Sequence, residues 1–251
     1  MPFSHVFLTR PRAQSEELAM SLKALGLQTV VQPAFTYSAL GAAAEQPREH
    51  DALAAAGAGD LLLFTSPRAV EHGLAQLPGG VLGRARIGAI GPATARALEN
   101  AGVRVGVRAA GGYTSEALLE TLAAEIRAGD RRAFIMAAPG GRGELARGLR
   151  ELGWDARTLY VYRSTPAPLD RDALAELESA SGILSVWTSG NAMKALSQRL
   201  PPASWFRICQ GEWLVISDRL QRLARAYGPA NVHLAGGPGN PAILSAIRSL
   251  L

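Results

Sequence analysis

The stretch Asp60-Leu-Leu-Leu-Phe-Thr-Ser-Pro-Arg-Ala-Val70 decides the fold. Four consecutive apolar residues, Leu61 to Phe64, make a short buried strand, because a half-solvated strand would alternate polar and apolar side chains. Thr65-Ser66 punctuates its carboxyl end. Pro67 suits the first turn of a helix, where its missing N–H would have no partner anyway. Val70, Leu74 and Leu77 then recur at helical spacing. A strand running through a hydroxyl pair into a helix N-terminus is the ligand-facing edge of an open α/β sheet. The same device returns in Gly182-Ile-Leu-Ser-Val-Trp-Thr-Ser-Gly-Asn-Ala192. Two such edges in one chain imply two lobes facing each other across a cleft.

The rest of the chain keeps this rhythm. His5 to Thr9 reads as a first strand, Arg10-Pro-Arg12 turns into a helix over about Ala13 to Leu25, and Gly26 stops it. Thr29 to Pro33 reads as a strand that continues into the extended connector Ala34 to Ser38. A short helix is expected from Arg48 to Ala56, strands at Ala85–Gly91 and Val103–Val107, and helices from Pro92 and from Ala117 to Arg127. Arg132 to Met136 is a strand, Pro139-Gly-Gly-Arg-Gly143 a loop, Glu144 to Leu152 a helix and Ala156 to Arg163 one continuous strand carrying Tyr160 and Tyr162. Later helices are expected at Asp170–Ser179, Asn191–Leu200, Arg219–Tyr227 and Pro241–Leu250, with strands at Ile183–Thr188, Trp213–Ser217 and Val232–Ala235. Strands alternating with helices of this length argue for parallel sheets.

An internal duplication supports two lobes. Phe64-Thr-Ser66 aligns with Trp187-Thr-Ser189, Gly91 and Gly102 with Ser217 and Gly228, and Leu22-Lys-Ala-Leu-Gly26 with Leu149-Arg-Glu-Leu-Gly153. The offset stays near half the chain in every pair.

Composition narrows the function. With 251 residues and 48% hydrophobic content, the chain is long enough for one large or two small domains. Cys209 is the sole cysteine, which excludes a disulfide framework and a cysteine-based metal site. The four histidines have no metal-binding spacing. No apolar run approaches the roughly 18 residues of a membrane span, and Met1 to His5 has no signal-peptide character, so a cytoplasmic protein is expected. The net charge of +5 comes almost wholly from arginine, since lysine occurs only at Lys23 and Lys194. Without an arginine-rich run interleaved with aromatics, a small polyanion fits this charge better than nucleic acid. Neither a dinucleotide glycine fingerprint, nor a phosphate-binding P-loop, nor a G-x-S-x-G nucleophile elbow is present.

What remains is a distributed set of polar residues at strand ends. Thr65, Ser66, Thr188 and Ser189 read either as helix caps or as ligand hydroxyls. Gly91-Pro-Ala-Thr94 offers main-chain donors at a helix start, and Arg142 lies in a glycine loop able to cradle an anion. Arg10 and Arg12 follow the first strand, where a bidentate grip on a carboxylate is natural. Tyr162 reads as a packed tyrosine or as a phenol facing the cleft.

The motifs Leu8-Thr-Arg-Pro11, Phe64-Thr-Ser-Pro-Arg-Ala-Val70, Ile90-Gly-Pro-Ala-Thr-Ala95, Val161-Tyr-Arg163 and Trp187-Thr-Ser189 occur in an order that resembles the uroporphyrinogen-III synthase family. The resemblance implies an α/β fold of two Rossmann-like, flavodoxin-like lobes with parallel sheets, joined by a two-stranded linker, with a cleft between them. Residues 1–34 and 167–251 would form one discontinuous lobe, 40–159 the other, and 35–39 with 160–166 the linker. It further implies a cofactor-free, metal-free cyclisation of hydroxymethylbilane, a linear tetrapyrrole with eight carboxylates, with inversion of the terminal ring. Tyr162 matches the family tyrosine held to assist departure of the hydroxyl. Thr65, Ser66, Thr94, Thr188 and Ser189 match hydroxyls lining the cleft, with Gly91 supplying main-chain donors and Arg10, Arg12 and Arg142 attracting carboxylates. Ile216-Ser-Asp-Arg219 departs from the Gly-Pro-Thr-Thr-like turn of many members, leaving Ser217 as the nearest hydroxyl there. A monomer in transient contact with the preceding pathway enzyme is expected, with no membrane and no nucleic-acid partner. The other reading of the same features is a non-catalytic two-lobed domain that closes on a small anion.

Overall fold

A computed structural model describes residues 2–109, 115–124, 131–141, 143–229 and 231–251. Among them, twelve strands are formed: β1 His5–Leu8, β2 Gln28–Val31, β3 Phe35–Ala39, β4 Leu61–Phe64, β5 Arg86–Ala89, β6 Val107–Arg108, β7 Arg132–Ala137, β8 Asp155–Tyr160, β9 Tyr162–Pro166, β10 Ile183–Trp187, β11 Glu212–Val215 and β12 Asn231–Leu234. The chain divides into two compact units, Met1–Thr36 with Thr165–Leu251 (unit 1) and Tyr37–Ser164 (unit 2). Each division falls inside β3 or β9, which pair as a two-stranded sheet.

Unit 1 holds a five-stranded sheet in the order β12-β11-β10-β1-β2, and unit 2 one in the order β6-β5-β4-β7-β8. Every neighbouring pair in both is parallel. The two orders superpose if β10, β11, β12, β1 and β2 are matched to β4, β5, β6, β7 and β8. One unit is therefore a circular permutation of the other in chain order. This explains why the duplicated motifs sit near half a chain apart. It also explains why the matched glycines share a role: Gly26 and Gly153 end the helices after β1 and β7, with φ of +77° and +83°. The six-residue return that follows is closed by Leu27 N–H donating to Leu22 O (3.1 Å) and Trp154 N–H to Leu149 O (2.9 Å). Only glycine enters that left-handed region without steric cost.

The apolar run of β4 is buried because its sheet is covered on both faces. Leu62 and Phe64 enter one core with Val70, Leu98 and Phe134, while Leu61 and Leu63 enter another with Leu118, Leu149 and Trp154. In unit 1, Ile183 and Trp187 of β10 face one core and Leu184 and Val186 the other. Each such side chain contributes about 1.5–3 kcal/mol by leaving water.

Three details differ from the sequence reading. The continuous strand Ala156–Arg163 is broken at Val161. Val161 N–H still donates to Ala137 O of β7 (3.0 Å), but Val161 O accepts from Leu40 N–H (3.1 Å) and Gln76 Nε2 (2.8 Å). The backbone thus changes sheets at one residue, and Tyr160 and Tyr162 belong to different strands. The expected strand Val103–Val107 shrinks to β6. A helix at Pro202–Gln210 has no counterpart in the sequence reading; Pro202 occupies its first turn, where proline is tolerated. That helix places Trp205 edge-on to Trp187 and Trp213, at 6.1 and 5.8 Å between ring centroids. Residues 125–127 of the expected helix Ala117–Arg127 lie outside the described residues; the helix itself is Ser115–Ala123.

Gly211, before β11, marks a close approach of two strands. A Cβ there would lie 2.4 Å from Ile183 O and 3.2 Å from its carbonyl carbon. Gly211→Ala should therefore destabilise the protein by about 1–3 kcal/mol through overpacking. Gly57→Ala, whose Cβ would meet nothing within 4 Å, should stay within about 0.5 kcal/mol of the parent. Urea denaturation of both variants checks the contrast; equal midpoints would refute it.

Candidate functional site

In an open parallel sheet, ligands bind beyond the carboxyl ends of the strands, where the strand order reverses. The reversal lies between β4 and β7 in unit 2 and between β1 and β10 in unit 1. Each unit has a concavity at that place.

In unit 2, β4 delivers Thr65 and Ser66. Thr65 Oγ1 donates to Met136 O of β7 (2.9 Å), latching the two strands at their ends. Ser66 caps the helix Pro67–Gly73, its Oγ accepting from Ala69 N–H at 3.1 Å. The same oxygen lies 3.2 Å from the Tyr162 hydroxyl, and either can donate. Ser66 thus serves as cap and as phenol partner at once. The Tyr162 side chain is nearly enclosed, at 9% exposure. Its ring stacks on His72 (5.7 Å, 23°) and tilts against Tyr37 (6.1 Å, 52°). Arg68 lies over the Tyr37 ring at 4.7 Å. Burial and the neighbouring Tyr162 push the Tyr37 phenol above its ordinary value, only partly offset by Arg68 and a hydrogen bond with Ser164. Tyr37 therefore stays protonated.

Thr65, Ser66 and Tyr162 line a concavity of about 620 Å³ together with the glycine loop after β7, Thr158 and Tyr160. Glu116 and Glu144 line it too, and nothing in the sequence reading anticipated carboxylates there. Gly91 is the N-cap of the helix Pro92–Asn100 with extended backbone and open space where a Cβ would go. Thr94, two residues inside that helix, is 3% exposed and packs inward. Arg142 lies outside the described residues.

In unit 1, Thr9 Oγ1 donates to Val186 O of β10 (3.1 Å), the counterpart of the Thr65 latch. Arg10 follows it and lines a concavity of about 630 Å³ with Gln14, Glu17, Thr188, Ile216 and Asn240. Its Nη1 donates to Asn240 Oδ1 (2.9 Å) and its Nη2 to Pro238 O. Burial pulls the Arg10 guanidinium below its ordinary value. Arg12 turns the other way: Nη2 meets Asp170 Oδ2 at 2.5 Å, and the side chain is 60% exposed. Asp170 is itself the cap of the helix Arg171–Ser179 through Ala173 N–H (3.2 Å). Ser189 and Ser217 cap the helices Gly190–Arg199 and Asp218–Arg225, each accepting an N–H at 3.4 Å.

The structure therefore brings Thr65, Ser66 and Tyr162 to one concavity and Arg10 and Thr188 to the other. It gives Ser189 and Ser217 capping bonds, Arg12 an acidic partner and Thr94 a packed position. The sequence reading missed His72, Tyr37 and Asn240. His72 follows Ser66 by six residues, about 1.7 helical turns, and meets Tyr162 only through the placement of β9. Among the described residues, no cluster of three or more metal-ligating side chains occurs, and no helix is long and apolar enough to cross a membrane.

A family model described as uroporphyrinogen-III synthase HemD matches residues 16–244. The chain is 31% identical over 255 residues to the uroporphyrinogen-III synthase of Salmonella typhimurium, and 28% identical over 250 residues to that of Escherichia coli. Each alignment covers 97% of this chain and 99% of the relative. A uroporphyrinogen III synthase structure from Thermus thermophilus has the same fold, with a TM-score of 0.64 at 21% identity, covering 98% of both chains. One from Helicobacter pylori gives 0.62 at 16% identity, covering 98% of this chain and 99% of that one. These findings support an enzyme and give no support to a non-catalytic anion-binding domain. The chain belongs to the uroporphyrinogen-III synthase family, cyclising lyases of tetrapyrrole biosynthesis.

Proposed function

We propose that the concavity of unit 2 takes the reacting end of hydroxymethylbilane and that Tyr162 assists loss of its terminal hydroxyl. The observation that carries this reading is the Tyr162 hydroxyl, 3.2 Å from Ser66 Oγ at the strand-order reversal. Ser66 Oγ already accepts a hydrogen bond from Ala69 N–H. If its own hydrogen goes to the Tyr162 oxygen, the phenol proton is left to face the substrate hydroxyl. The C–O bond then breaks as the pyrrole nitrogen lone pair pushes in and the hydroxyl takes up the phenol proton to leave as water; the pyrrole N–H proton is released in turn, giving the neutral azafulvene and restoring the phenol. Attack by the substituted carbon of the far ring gives a spiro intermediate, which reopens and recloses with that ring inverted.

Unassisted, the azafulvene closes directly to the uninverted isomer. Preferring the inverted product a hundredfold requires only about 3 kcal/mol. Holding the bilane so that the right carbon meets the azafulvene is sufficient for that. Arg10 and Thr188 in unit 1, with Gly91 main-chain N–H groups and Arg142, would hold carboxylates. Ser189 and Ser217 would contribute through the helix starts they cap. A cytoplasmic monomer, in transient contact with the enzyme that supplies the bilane, fits this substrate's short lifetime.

The test is a product assay. Fresh hydroxymethylbilane is incubated with the protein, the porphyrinogens are oxidised, and the I and III isomers are separated by chromatography. Excess III isomer over a no-protein control is expected. Only the I isomer, from folded protein, would refute the reading.

A further inference from the structure

Arg10 is a cation facing a concavity without a direct counter-ion. Its two hydrogen-bond partners are neutral oxygens, Asn240 Oδ1 at 2.9 Å and Pro238 O. Among the described residues no carboxylate lies within salt-bridge distance of it. The nearest acidic charge in its network is one residue removed: Asn240 Nδ2 donates to Glu17 Oε2 at 2.8 Å. The Asn240 amide is thereby fixed in one orientation. Guanidinium offers only donors and carboxylate only acceptors, so the amide oxygen must face Arg10 and the amide nitrogen Glu17. A flipped amide would lose both bonds.

The arrangement does two things. It aims the Arg10 fork from the end of β1 into the concavity, and it keeps Glu17 from pairing with Arg10 and cancelling its charge. A planar guanidinium held this way keeps its unused N–H groups for an incoming carboxylate. Glu17 lines the same concavity, but its carboxylate is engaged by Asn240 rather than by Arg10.

We propose that Asn240 is a positioning residue that, braced by Glu17, presents Arg10 as the anchor for a carboxylate of the tetrapyrrole substrate. This rests on the proposed use of Arg10 for substrate binding. Asn240 touches no reacting atom; it acts through Arg10.

The experiment compares the parent, Asn240→Ala and Asn240→Asp in the isomer assay, at low and moderate ionic strength, with thermal denaturation alongside. Asn240→Ala frees the fork and should raise KM about five- to tenfold with kcat changed less than twofold, because anchoring acts on ground state and transition state alike. Asn240→Asp supplies the counter-ion that the native network withholds. It should raise KM further, and KM should lose much of its dependence on salt. Adding Glu17→Gln to Asn240→Asp relieves the new like-charge contact without freeing Arg10, so KM should stay high. Unchanged KM in Asn240→Ala, or equal salt dependence in Asn240→Asp and parent, would overturn the proposal. A shift confined to the melting temperature would overturn it too, since that is what a purely structural bridge gives. Absence of III isomer from the parent would instead refute the function on which the proposal rests, and the two failures are thus distinguishable.

Discussion

Tyr162→Phe should lower kcat about ten- to a hundredfold while leaving the III isomer the main product. Phenylalanine keeps the ring that stacks on His72 and tilts against Tyr37, so the packing around it survives. What disappears is the hydroxyl 3.2 Å from Ser66 Oγ, and with it the donor to the leaving group. Positioned proton donors contribute roughly 10²–10⁴-fold in rate. The effect here falls at or below the lower end, because the pyrrole nitrogen itself drives departure of the hydroxyl. The isomer ratio depends on how the bilane is held, which the variant leaves intact. Initial rates with chromatographic separation of the isomers check both parts. Complete loss of turnover in a folded variant would make the phenol indispensable and contradict a distributed mechanism. An unchanged rate would remove Tyr162 from the chemistry.

Asp60→Asn should cost about 3 kcal/mol of stability at neutral pH and leave kcat nearly unchanged wherever the variant is folded. Asp60 precedes β4 at the amino ends of the strands, opposite the edge that carries Thr65 and Ser66. Its carboxylate is buried, and it accepts four hydrogen bonds. Arg132 N–H (3.0 Å) and Nε (3.2 Å) reach Oδ1, and Arg132 Nη2 (2.6 Å) and Gly57 N–H (2.8 Å) reach Oδ2. An asparagine must turn its NH₂ toward some of these donors, leaving them unpaired. Hydrogen bonds to a charged group are each worth about 1.5–3 kcal/mol. The Arg132 side chain is 31% exposed, so solvent screening keeps the total far below a bare Coulomb sum.

The pH dependence follows from the same contacts. Burial alone would raise the Asp60 carboxyl, but the hydrogen bonds from Arg132 and Gly57 outweigh it and hold the carboxyl below its ordinary value. A depressed folded-state pKa gives stability that is fully present above the unfolded value, about 4, and is lost as pH falls through the folded value. The stability gap between parent and Asp60→Asn should therefore be level from about pH 6 to 8 and close as the solution is acidified below about pH 4. Urea titrations across that range measure it, and a gap that widens on acidification would contradict the assignment.

The run Leu61–Phe64, followed by Thr65-Ser66-Pro67 and a helical pattern, reads as a strand covered on both faces, and its side chains do divide between two cores. The matched glycines Gly26 and Gly153, and Gly102 and Gly228, exposed the duplication because a left-handed helix stop leaves a sequence mark. The site was less legible. Ser66, Ser189 and Ser217 cap helices in the same way, and only Ser66 also meets a phenol. Arg10 and Arg12 are two residues apart and look alike, yet one enters a concavity and the other pairs with Asp170.

The sequence by itself determined local and repeating features: strand and helix alternation, the hydroxyl-bearing strand ends, the two-fold repeat and the family motifs. These depend on backbone preference and on burial periodicity, which act over a few residues and leave their pattern in the order of amino acids. The tertiary structure alone decided which side chains meet. Asn240 joins Arg10 and Glu17 across more than two hundred residues, Tyr162 reaches Ser66 across nearly a hundred, and Val161 is where one strand leaves its sheet for another. Such contacts are set by strand order and by the circular permutation between the units, and no local rule of propensity or spacing encodes them.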